Sequence, residues 1–295
     1  MSIGLIFPGQ AAQFVGMGRT IYGSDKDARK LIDRADEVLG YKLSEVMFDG
    51  PVELLTETKH TQPAVYLHSL VVYEKLKNKA NPTGVAGHSL GEISACVAAD
   101  VLSFEDGLKL VQKRAEAMQA ACDANPGTMA AVLGLDDAIV EEICQEIDGV
   151  VPANYNCPGQ LVISGTKDGI AKAIEVCKEK GARRALEIAV GGAFHSPLME
   201  PAMDTFKAAI EQMPMQDATI PVFQNVDAHP HTKAEEIKEN LIKQVISPVR
   251  WTDCILSMKS EGIGSYIEVG GKGRILQGML RKISRELEVT LWQEG

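Results

Sequence analysis

Short apolar runs alternate with amphipathic segments over the first part of the chain. The opening run SIGLIF, which a Pro-Gly pair ends, is typical of a short buried strand. The helical periodicity of DARKLIDRADEVLG predicts one helix, and residues 61–79 predict a second, with a threonine cap and Pro63 in its first turn. A short strand, GVAG, and a helix from about Leu90 follow, and this helical pattern continues after Asp100. Strands separated by helices of this length predict a parallel sheet covered on both faces.

The order of elements changes after Asn125. Six segments predict the order strand, helix, strand, strand, helix, strand, which is the split βαβ of a ferredoxin-like unit: TMAAVLGL, DDAIVEEICQEI, VVPANYN, QLVISG, DGIAKAIEVCKEKG and ARRALEIAV. Beyond them we expect a helix over MEPAMDTFKAAIEQM, strands at IPVFQNV and GSYIEVGG, and a final helix. The pattern therefore predicts an α/β fold, with residues 1–124 and 194–295 in a large domain and residues 125–193 in a small inserted α+β subdomain.

Composition narrows the class of protein. At 295 residues and 45% hydrophobic content, the chain can bury one large core together with a smaller inserted one. No apolar segment approaches the ~20 residues of a membrane span, and the N-terminus lacks a signal-peptide pattern, so we expect a cytoplasmic protein without membrane contact. A net charge of −10 argues against broad contact with nucleic acid. Six cysteines without a C-x-x-C pair fit buried thiols better than disulfides or a metal site.

The candidate nucleophile is Ser89 in the segment VAGHSLGEIS. Gly87, Ser89 and Gly91 form the pattern G-x-S-x-G between an apolar run and a helical segment. Glycines on both sides allow a strand to turn sharply into a helix, as in α/β-hydrolase-like domains. The helix N-terminus would then favour a developing oxyanion beside the serine. The pattern alone is modest evidence, because an ordinary serine in a turn can carry it too.

A serine hydroxyl needs a base at neutral pH, and histidine is the usual one. Four of the six histidines are better explained as structural or solvent-exposed side chains: His60 and His68 at or within a helix, and His229 and His231 around a proline in a polar loop. His88 adjoins the serine but would point away from an exposed hydroxyl. His195 remains, in GGAFHSPLM, where small neighbours leave it free to face a cleft. Its alternative role is to cap the helix that follows.

Six blocks of sequence occur in a specific order: FPGQ, GHSLGE, KRAEAMQ, NYNCPGQLVISG, GAFHSPLME and QVISPVRW. Together they resemble the malonyl-CoA:acyl carrier protein transacylases of fatty acid synthesis and the related acyltransferases of polyketide synthases. The resemblance runs from Phe7 to about Leu280. Any single block is weak evidence, whereas six in this order are highly specific.

The resemblance implies a role for each block. Ser89 would be the acylated nucleophile and His195 its general base. In this family a backbone carbonyl, rather than an aspartate, orients the histidine, and the matching position is Gln244. The oxyanion would be bound by the backbone N–H groups of Gln10 and Leu90, which requires the end of the FPGQ strand to meet the serine turn across the sheet.

Arg114, in VQKRAEAMQ, would bind the free carboxylate of a malonyl group through two charge-assisted hydrogen bonds. Without the resemblance, the simpler interpretation of Arg114 is a solvated charge on a helix. Met118, one turn further on, matches a position in the family's acyl pocket, although it could equally be a core methionine. Phe194 matches the malonyl-selecting form of its motif, so methylmalonyl would be disfavoured but not fully excluded.

The resemblance also implies a binding path for the thiol arm and its carrier. Asn154, Asn156 and Gln160 match a polar stretch near the acyl and pantetheine site. Arg183 and Arg184 are candidates for the basic patch that an acidic protein needs to receive coenzyme A phosphates or an acidic carrier protein. They could also be two ordinary exposed strand charges.

Two segments depart from the family pattern, and one further residue is assigned a supporting role. The family usually has glycine and then serine or threonine after FPGQ, where this chain has Ala11 and Ala12. This removes any hydroxyl contact there but keeps the backbone donor. GGKGRILQG lacks a full G-x-G-x-x-G pattern and reads as a turn that opens the last helix. Asn225 is expected to hold nearby backbone.

The sequence thus predicts a monomeric acyltransferase that moves malonyl from malonyl-CoA to the phosphopantetheine thiol of holo acyl carrier protein through a malonyl-serine ester. It calls for no metal and no redox cofactor. Three alternatives stay open. A serine esterase or thioesterase would send the acyl group to water, a trans-acting polyketide synthase acyltransferase would use another carrier, and a non-catalytic carrier-binding protein would not need all three candidate side chains.

Overall fold

A computed structural model describes residues 2–292 of the chain. Its strands form two sheets. The strands of the larger sheet are β1 Ser2–Phe7, β2 Pro82–Gly87, β7 Val222–Phe223, β8 Pro230–His231, β9 Ile263–Val269 and β10 Glu288–Trp292. Those of the smaller sheet are β3 Thr128–Leu133, β4 Val150–Cys157, β5 Gln160–Gly165 and β6 Arg184–Ile188.

The larger sheet has the order β10–β9–β1–β2–β7–β8 and is parallel except for the short edge strand β8. Its central strand β1 is apolar from Ile3 to Phe7, as expected for a strand whose two faces are both covered. Leu5 and Phe7 pack into the core on one face, and Ile6 packs into a second core on the other. The predicted parallel sheet with two covered faces is confirmed.

The helices occupy both faces of this sheet and one face of the smaller one. Within residues 2–292 they are α1 Arg19–Ser24, α2 Lys26–Leu39, α3 Leu43–Asp49, α4 Val52–Thr56, α5 Thr58–Leu76, α6 Gly91–Ala98, α7 Phe104–Ala124, α8 Asp137–Glu146, α9 Lys167–Glu179, α10 Glu200–Ile210, α11 Ala234–Gln244, α12 Trp251–Ser260 and α13 Ile275–Ile283. No helix in this described part of the chain combines the length and apolar composition needed to cross a membrane.

The smaller sheet is antiparallel and has the order β4–β5–β3–β6, which is the ferredoxin-like order predicted from the sequence. Alternate residues of β3 and β5, such as Val132 and Ile163, pack with α8 and α9 in a separate core. The opposite face carries Met129, Val162 and Ile188 toward the large domain. All four strands lie inside the predicted span 125–193, whose exact limits stay a prediction.

The second predicted helix begins earlier than expected. It spans Thr58–Leu76 rather than residues 61–79, so Pro63 is its sixth residue and lies beyond the first turn. The helix starts early because the Glu57 carbonyl already accepts from the amides of His60 and Thr61. Pro63 therefore leaves one carbonyl near the N-terminus without its usual partner, a smaller loss than in mid-helix.

Three strands differ from the prediction, one of them the short β8, which forms at Pro230–His231 where a polar loop was expected. IPVFQNV forms a strand only over Val222–Phe223, because the next residues, Gln224 and Asn225, turn inward to bond the buried carboxylate of Glu92. The edge strand Glu288–Trp292 was not predicted, since its five residues follow the helix expected to end the fold. GGKGRILQG does open the last helix, as predicted.

The six cysteines are buried and free, as the sequence predicts. No group of three or more histidine, cysteine or carboxylate side chains is arranged to hold a metal ion within the part of the chain that the structure describes.

The loop after β1 contains a strained alanine. Ala11 has φ +78, a left-handed conformation in which a Cβ atom costs roughly 1–2 kcal/mol. This is the position where the resembling family has glycine. The neighbouring Ala12 is not among the positive-φ residues and is fully buried. The loop therefore keeps a left-handed conformation at this position although glycine is absent, and the exposed Ala11 is strained.

We expect Ala11→Gly to raise the free energy of unfolding by about 1 kcal/mol, because glycine relieves the positive φ. Ala12→Gly is the matched control, and it should lower the free energy of unfolding by a similar amount through lost packing and added chain entropy. Urea denaturation followed by circular dichroism measures both. A destabilised Ala11→Gly variant would contradict the strain at this position.

Candidate active site

Two adjacent parallel strands end at the candidate site. Phe7 at the end of β1 is in register with Gly87 at the end of β2. The amide of His88 donates to the Phe7 carbonyl at 3.0 Å, which extends the pairing past the last strand residue. The FPGQ loop and the serine turn therefore meet at the carboxyl edge of the sheet, where ligands of open α/β sheets usually bind.

The two glycines beside Ser89 provide space rather than unusual backbone angles, since neither has a positive φ. A Cβ atom on Gly91 would lie 2.2 Å from the Phe7 carbonyl oxygen, and one on Gly87 would lie 1.9 Å from the Gly91 carbonyl carbon. Ser89 itself takes the strained conformation, with φ +52. This is the geometry of a nucleophile elbow, in which the serine is lifted from the chain at a tight strand-to-helix turn.

His195 lies in contact with the serine. Its Nε2 is 2.7 Å from Ser89 Oγ, and its Nδ1 is 3.0 Å from the Gln244 carbonyl and 3.1 Å from the Ser247 carbonyl. Because carbonyl oxygens only accept hydrogen bonds, the ring proton belongs on Nδ1. The Nε2 lone pair is thereby directed at the serine hydroxyl. The side chain does not cap the following helical turn.

The imidazole is held in its neutral form. Burial and, to a lesser extent, the positive charge of Arg114 together lower the pKa of His195 to about 3, although the Gln244 and Ser247 carbonyls act in the opposite direction. At neutral pH the ring is therefore unprotonated and can accept the proton of the serine hydroxyl.

Arg114 reaches the same serine from α7. The residue is only 2% exposed, so the interpretation as a solvated helix charge is wrong. Its Nη1 donates to Gln62 Oε1 at 2.9 Å, and its Nη2 donates to Gln244 Oε1 at 3.0 Å and to Ser89 Oγ at 3.1 Å. Two amide side chains thus fix the plane of the guanidinium beside the hydroxyl.

Arg114 is a buried cation whose direct hydrogen-bond partners within residues 2–292 are neutral oxygens. Burial lowers the pKa of its guanidinium to about 10, and the charge of Glu92 opposes that shift. The side chain is still protonated at neutral pH. An unpaired charge in such a place is costly, so the site favours an anion that could approach the guanidinium.

Gln10 and Leu90, the two residues expected to supply backbone amides, both line the cavity. Neither backbone amide donates a hydrogen bond to another group in the described part of the chain. Leu90 directly precedes α6 (Gly91–Ala98), where helix geometry leaves amide groups free. These amides are thus available to a carbonyl oxygen of a bound acyl group.

A cavity of about 200 Å³ encloses these groups. It lies between the large domain and the open face of the small sheet. Pockets for drug-sized ligands usually have volumes of roughly 300–1,000 Å³, so this one suits a short acyl chain. Met118 and Phe194, the two predicted pocket residues, both line it and are buried. Met118 lies on the same face of α7 as Arg114, as its spacing predicts.

The predicted polar stretch divides into three different environments. Asn154 lines the cavity, and its Oδ1 is buried without a hydrogen-bond partner among the described residues. Asn156 also lines the cavity, but its Oδ1 is 2.8 Å from His88 Nε2, so the His88 ring is bound to the small subdomain and not to the Ser89 hydroxyl. Gln160 lies outside the cavity and accepts from Lys282 Nζ at 3.3 Å.

Arg183 and Arg184 are exposed and do not reach the cavity. They lie at the start of β6, whereas Ile188 at its other end lines the cavity. The structure therefore places these two arginines away from Ser89 and His195, so they could act only at the surface of the protein.

Asn225 holds the elbow, as predicted. Its Oδ1 accepts from the Ser89 amide and its Nδ2 donates to the Gly87 carbonyl, both at 2.8 Å. Four other polar residues around the site were not found from the sequence: Gln62, Glu92, Gln224 and Ser247. Two of these lie in the blocks that carry the resemblance: Glu92 ends GHSLGE, and Ser247 lies within QVISPVRW.

The expected solvent exposure of His231 is wrong. Its side chain is only 17% exposed and contacts the carboxylates of Asp227 at 2.8 Å and Glu236 at 3.2 Å. Both carboxylates lie within five residues of the histidine in sequence. Glu236 belongs to the first turn of α11, so the start of this helix contacts the histidine. His229 is exposed, as expected.

Comparisons with known proteins agree with this geometry. Residues 5–288 match the family described as acyl transferase domain. A malonyl CoA-acyl carrier protein transacylase of Bacillus subtilis (strain 168) is 44% identical over 291 residues, covering 97% of this chain and 92% of that protein.

Two solved structures share the fold. An acyl-carrier-protein S-malonyltransferase from Burkholderia pseudomallei 1710b has a TM-score of 0.95 and 39% identity, covering 99% of this chain and 96% of that one. A malonyl-transacylase solved in complex with its type II PKS acyl-carrier protein has a TM-score of 0.95 and 35% identity, with the same coverage. Because the family match and these relatives extend over almost the whole chain, the protein belongs to the acyl transferase family, among the malonyl CoA-acyl carrier protein transacylases.

Proposed function

We propose that this enzyme transfers malonyl from malonyl-CoA to the phosphopantetheine thiol of holo acyl carrier protein, as a step of fatty acid synthesis. The names of its relatives give the reaction class. The observation that carries the proposal in this chain is the buried Arg114 guanidinium, 3.1 Å from Ser89 Oγ. A general esterase has no use for a buried cation at that position.

In the first half-reaction, Ser89 Oγ gives its proton to His195 Nε2 and bonds to the thioester carbonyl carbon. The oxyanion that forms accepts from the amides of Gln10 and Leu90. When the carbon–sulfur bond breaks, the proton on His195 passes to the sulfur of coenzyme A, and malonyl stays on Ser89 as an ester.

The second half-reaction runs in the opposite sense. His195 takes the proton of the pantetheine thiol, and the sulfur attacks the ester carbonyl carbon. The bond from carbon to Ser89 Oγ then breaks, and His195 returns the proton to the serine. Both halves exchange one activated acyl bond for another, so we propose that neither a metal nor a cofactor is required.

Arg114 supplies the selectivity for malonyl. A planar guanidinium can bind the far carboxylate of the acyl group with two parallel hydrogen bonds. A hydrogen bond to a charged group contributes roughly 1.5–3 kcal/mol, which corresponds to a preference over acetyl of about ten- to a hundredfold. Met118 and Phe194 close the acyl pocket beside it and limit the room for an added methyl group.

The hydrolase alternatives are not favoured. Such enzymes normally orient the histidine with a carboxylate, whereas His195 Nδ1 faces two backbone carbonyls here. A role in polyketide synthesis would use the same chemistry with another carrier.

A complete site within one chain supports action as a monomer, and six free buried thiols support a cytoplasmic location.

The carrier protein should dock on the open face of the small sheet. Gln160 is in register with Leu133, and Leu133 with Arg184, so these three side chains share one face of the sheet. Arg184 and Ile188 share that face too, because they lie four residues apart on one strand. Leu186 lies between them and is 40% exposed. An apolar strip therefore leads from the cavity to a basic edge.

Lys282 of α13 extends this basic edge, since its Nζ contacts Gln160 at the same end of the sheet. Arg183, Arg184 and Lys282 form no ion pair with a carboxylate in the described part of the chain. On a protein of net charge −10, such a patch can attract an acidic partner.

The reaction is tested by supplying malonyl-CoA or acetyl-CoA with and without holo carrier protein. We expect wild-type enzyme to form malonyl carrier rather than free malonate. Arg114→Ala should lower the ratio of kcat/KM for malonyl-CoA to that for acetyl-CoA by about ten- to a hundredfold, because the carboxylate loses its partner. Mass spectrometry of the carrier measures both acyl products.

The control is Lys113→Ala, which removes an exposed cation from the adjacent position of α7 and should leave this ratio unchanged. An unchanged ratio in Arg114→Ala would remove the carboxylate contact from the proposal. Free malonate as the dominant product in the presence of carrier would favour a hydrolase.

For the docking face, we expect the double variant R183E/R184E to raise KM for holo carrier about tenfold at low ionic strength. The effect should shrink at 0.5 M salt, at which the Debye length is only ~4 Å. Lys207→Glu is the control, because it reverses an exposed charge on α10, a helix that contributes nothing to the cavity. Equal KM values for the two variants would place the carrier elsewhere.

A further inference from the structure

Glu92 is a buried carboxylate that the reaction described above does not use. It lies in the first turn of α6, three residues after Ser89, and is fully buried. It is not among the residues that line the cavity. Its Oε1 accepts from Gln224 Nε2 at 2.9 Å, and its Oε2 accepts from the Asn225 amide at 2.8 Å and from Gln244 Nε2 at 3.0 Å.

The Gln244 side chain joins this carboxylate to the arginine of the site. Its Nε2 donates to Glu92, while its Oε1 accepts from Arg114 Nη2 at 3.0 Å. A glutamine amide can turn over by half a rotation with little change in shape, so its neighbours decide its orientation. A carboxylate only accepts and a guanidinium only donates, so both require the same orientation of Gln244.

We propose that Glu92 is a positioning residue for malonyl selectivity, which acts through the side-chain amide of Gln244 to hold the Arg114 guanidinium in its binding geometry. This inference rests on the proposed role of Arg114 as the partner of the malonyl carboxylate. It assigns Gln244 a second role, through its side chain, in addition to that of its backbone carbonyl at His195.

Charge supports this arrangement. Arg114 is buried with neutral direct partners, and Glu92 is the negative group one amide away from it. Burial raises the pKa of Glu92 to about 7, and the three donors and Arg114 oppose that shift. Every hydrogen-bonding neighbour of its two oxygens is a donor, so a proton on the carboxyl group would lack an acceptor. The geometry therefore suits the ionised form, and the α6 N-terminus favours it as well.

Glu92 also helps to hold the elbow. Its carboxylate accepts from the backbone amide of Asn225, and the Asn225 side chain in turn accepts from the Ser89 amide. The two effects differ in what they change. A displaced elbow would impair the attack of Ser89 on any acyl group. A displaced Arg114 would impair only acyl groups with a carboxylate, so the ratio of malonyl to acetyl transfer separates the two effects.

Glu92→Gln tests the proposal, since it keeps the shape of the side chain but places an amide donor among donors. We expect the ratio of kcat/KM for malonyl-CoA to that for acetyl-CoA to fall at least fivefold, mainly through a higher KM for malonyl-CoA. In an Arg114→Ala background, the same substitution should change the ratio less than twofold. Glu116→Gln, at an exposed position of α7, is the matched control with an unchanged ratio.

Gln244→Met is the second variant, in case Glu92→Gln does not fold. It removes the amide bridge, keeps the backbone carbonyl at His195, and should lower the same ratio at least fivefold. If Arg114→Ala lowers the ratio while neither of these variants does, the role of Glu92 is overturned and the proposed function stands. If Arg114→Ala leaves the ratio unchanged, the proposed function itself is wrong. An equal loss with both substrates in Glu92→Gln and Gln244→Met would also overturn the role of Glu92.

Discussion

The contact between the buried Arg114 guanidinium and the Ser89 hydroxyl is the interaction on which the site depends. A cation in a poorly solvated place is costly unless its surroundings compensate. Here Gln62 and Gln244 satisfy part of its hydrogen-bonding capacity, and Glu92 supplies a negative charge one amide away. These partners leave the guanidinium protonated and 3.1 Å from Ser89 Oγ. In the proposed function, an acyl group that carries its own carboxylate completes the pairing, and a neutral one does not.

The fold brings these groups together through close approach of backbone. The β1 and β2 strands can end side by side because Gly87 and Gly91 leave room that any side chain would fill. Two strained residues, Ser89 at φ +52 and His195 at φ +57, carry the side chains that meet at 2.7 Å. Strain of this kind persists only where the surroundings fix the backbone. The Ser89 amide is held by Asn225, and the His195 imidazole is held by the carbonyls of Gln244, the last residue of α11, and Ser247.

Periodicity was sufficient for the architecture, because strands buried on both faces and amphipathic helices differ clearly in pattern. It failed where tertiary contacts determine the structure. The residues after Val222–Phe223 turn toward Glu92, so the observed strand is shorter than the predicted one. Arg114 shows the same limit at the site, since its exposed neighbour Lys113 makes a solvated charge the natural interpretation. Only the resemblance pointed to its role. The carbonyl of Ser247 has no signature, because any residue type could supply it.

The central claim is that the guanidinium of Arg114 binds the carboxylate of a malonyl group on Ser89. A crystal structure of the malonyl-enzyme, trapped by soaking malonyl-CoA in the absence of carrier, measures this most directly. The account predicts both carboxylate oxygens at about 2.7–2.9 Å from guanidinium nitrogens of Arg114, the range of charge-assisted hydrogen bonds. A malonyl carboxylate that points to solvent or pairs with another cation, with Arg114 still bound to Gln62 and Gln244 alone, would contradict it.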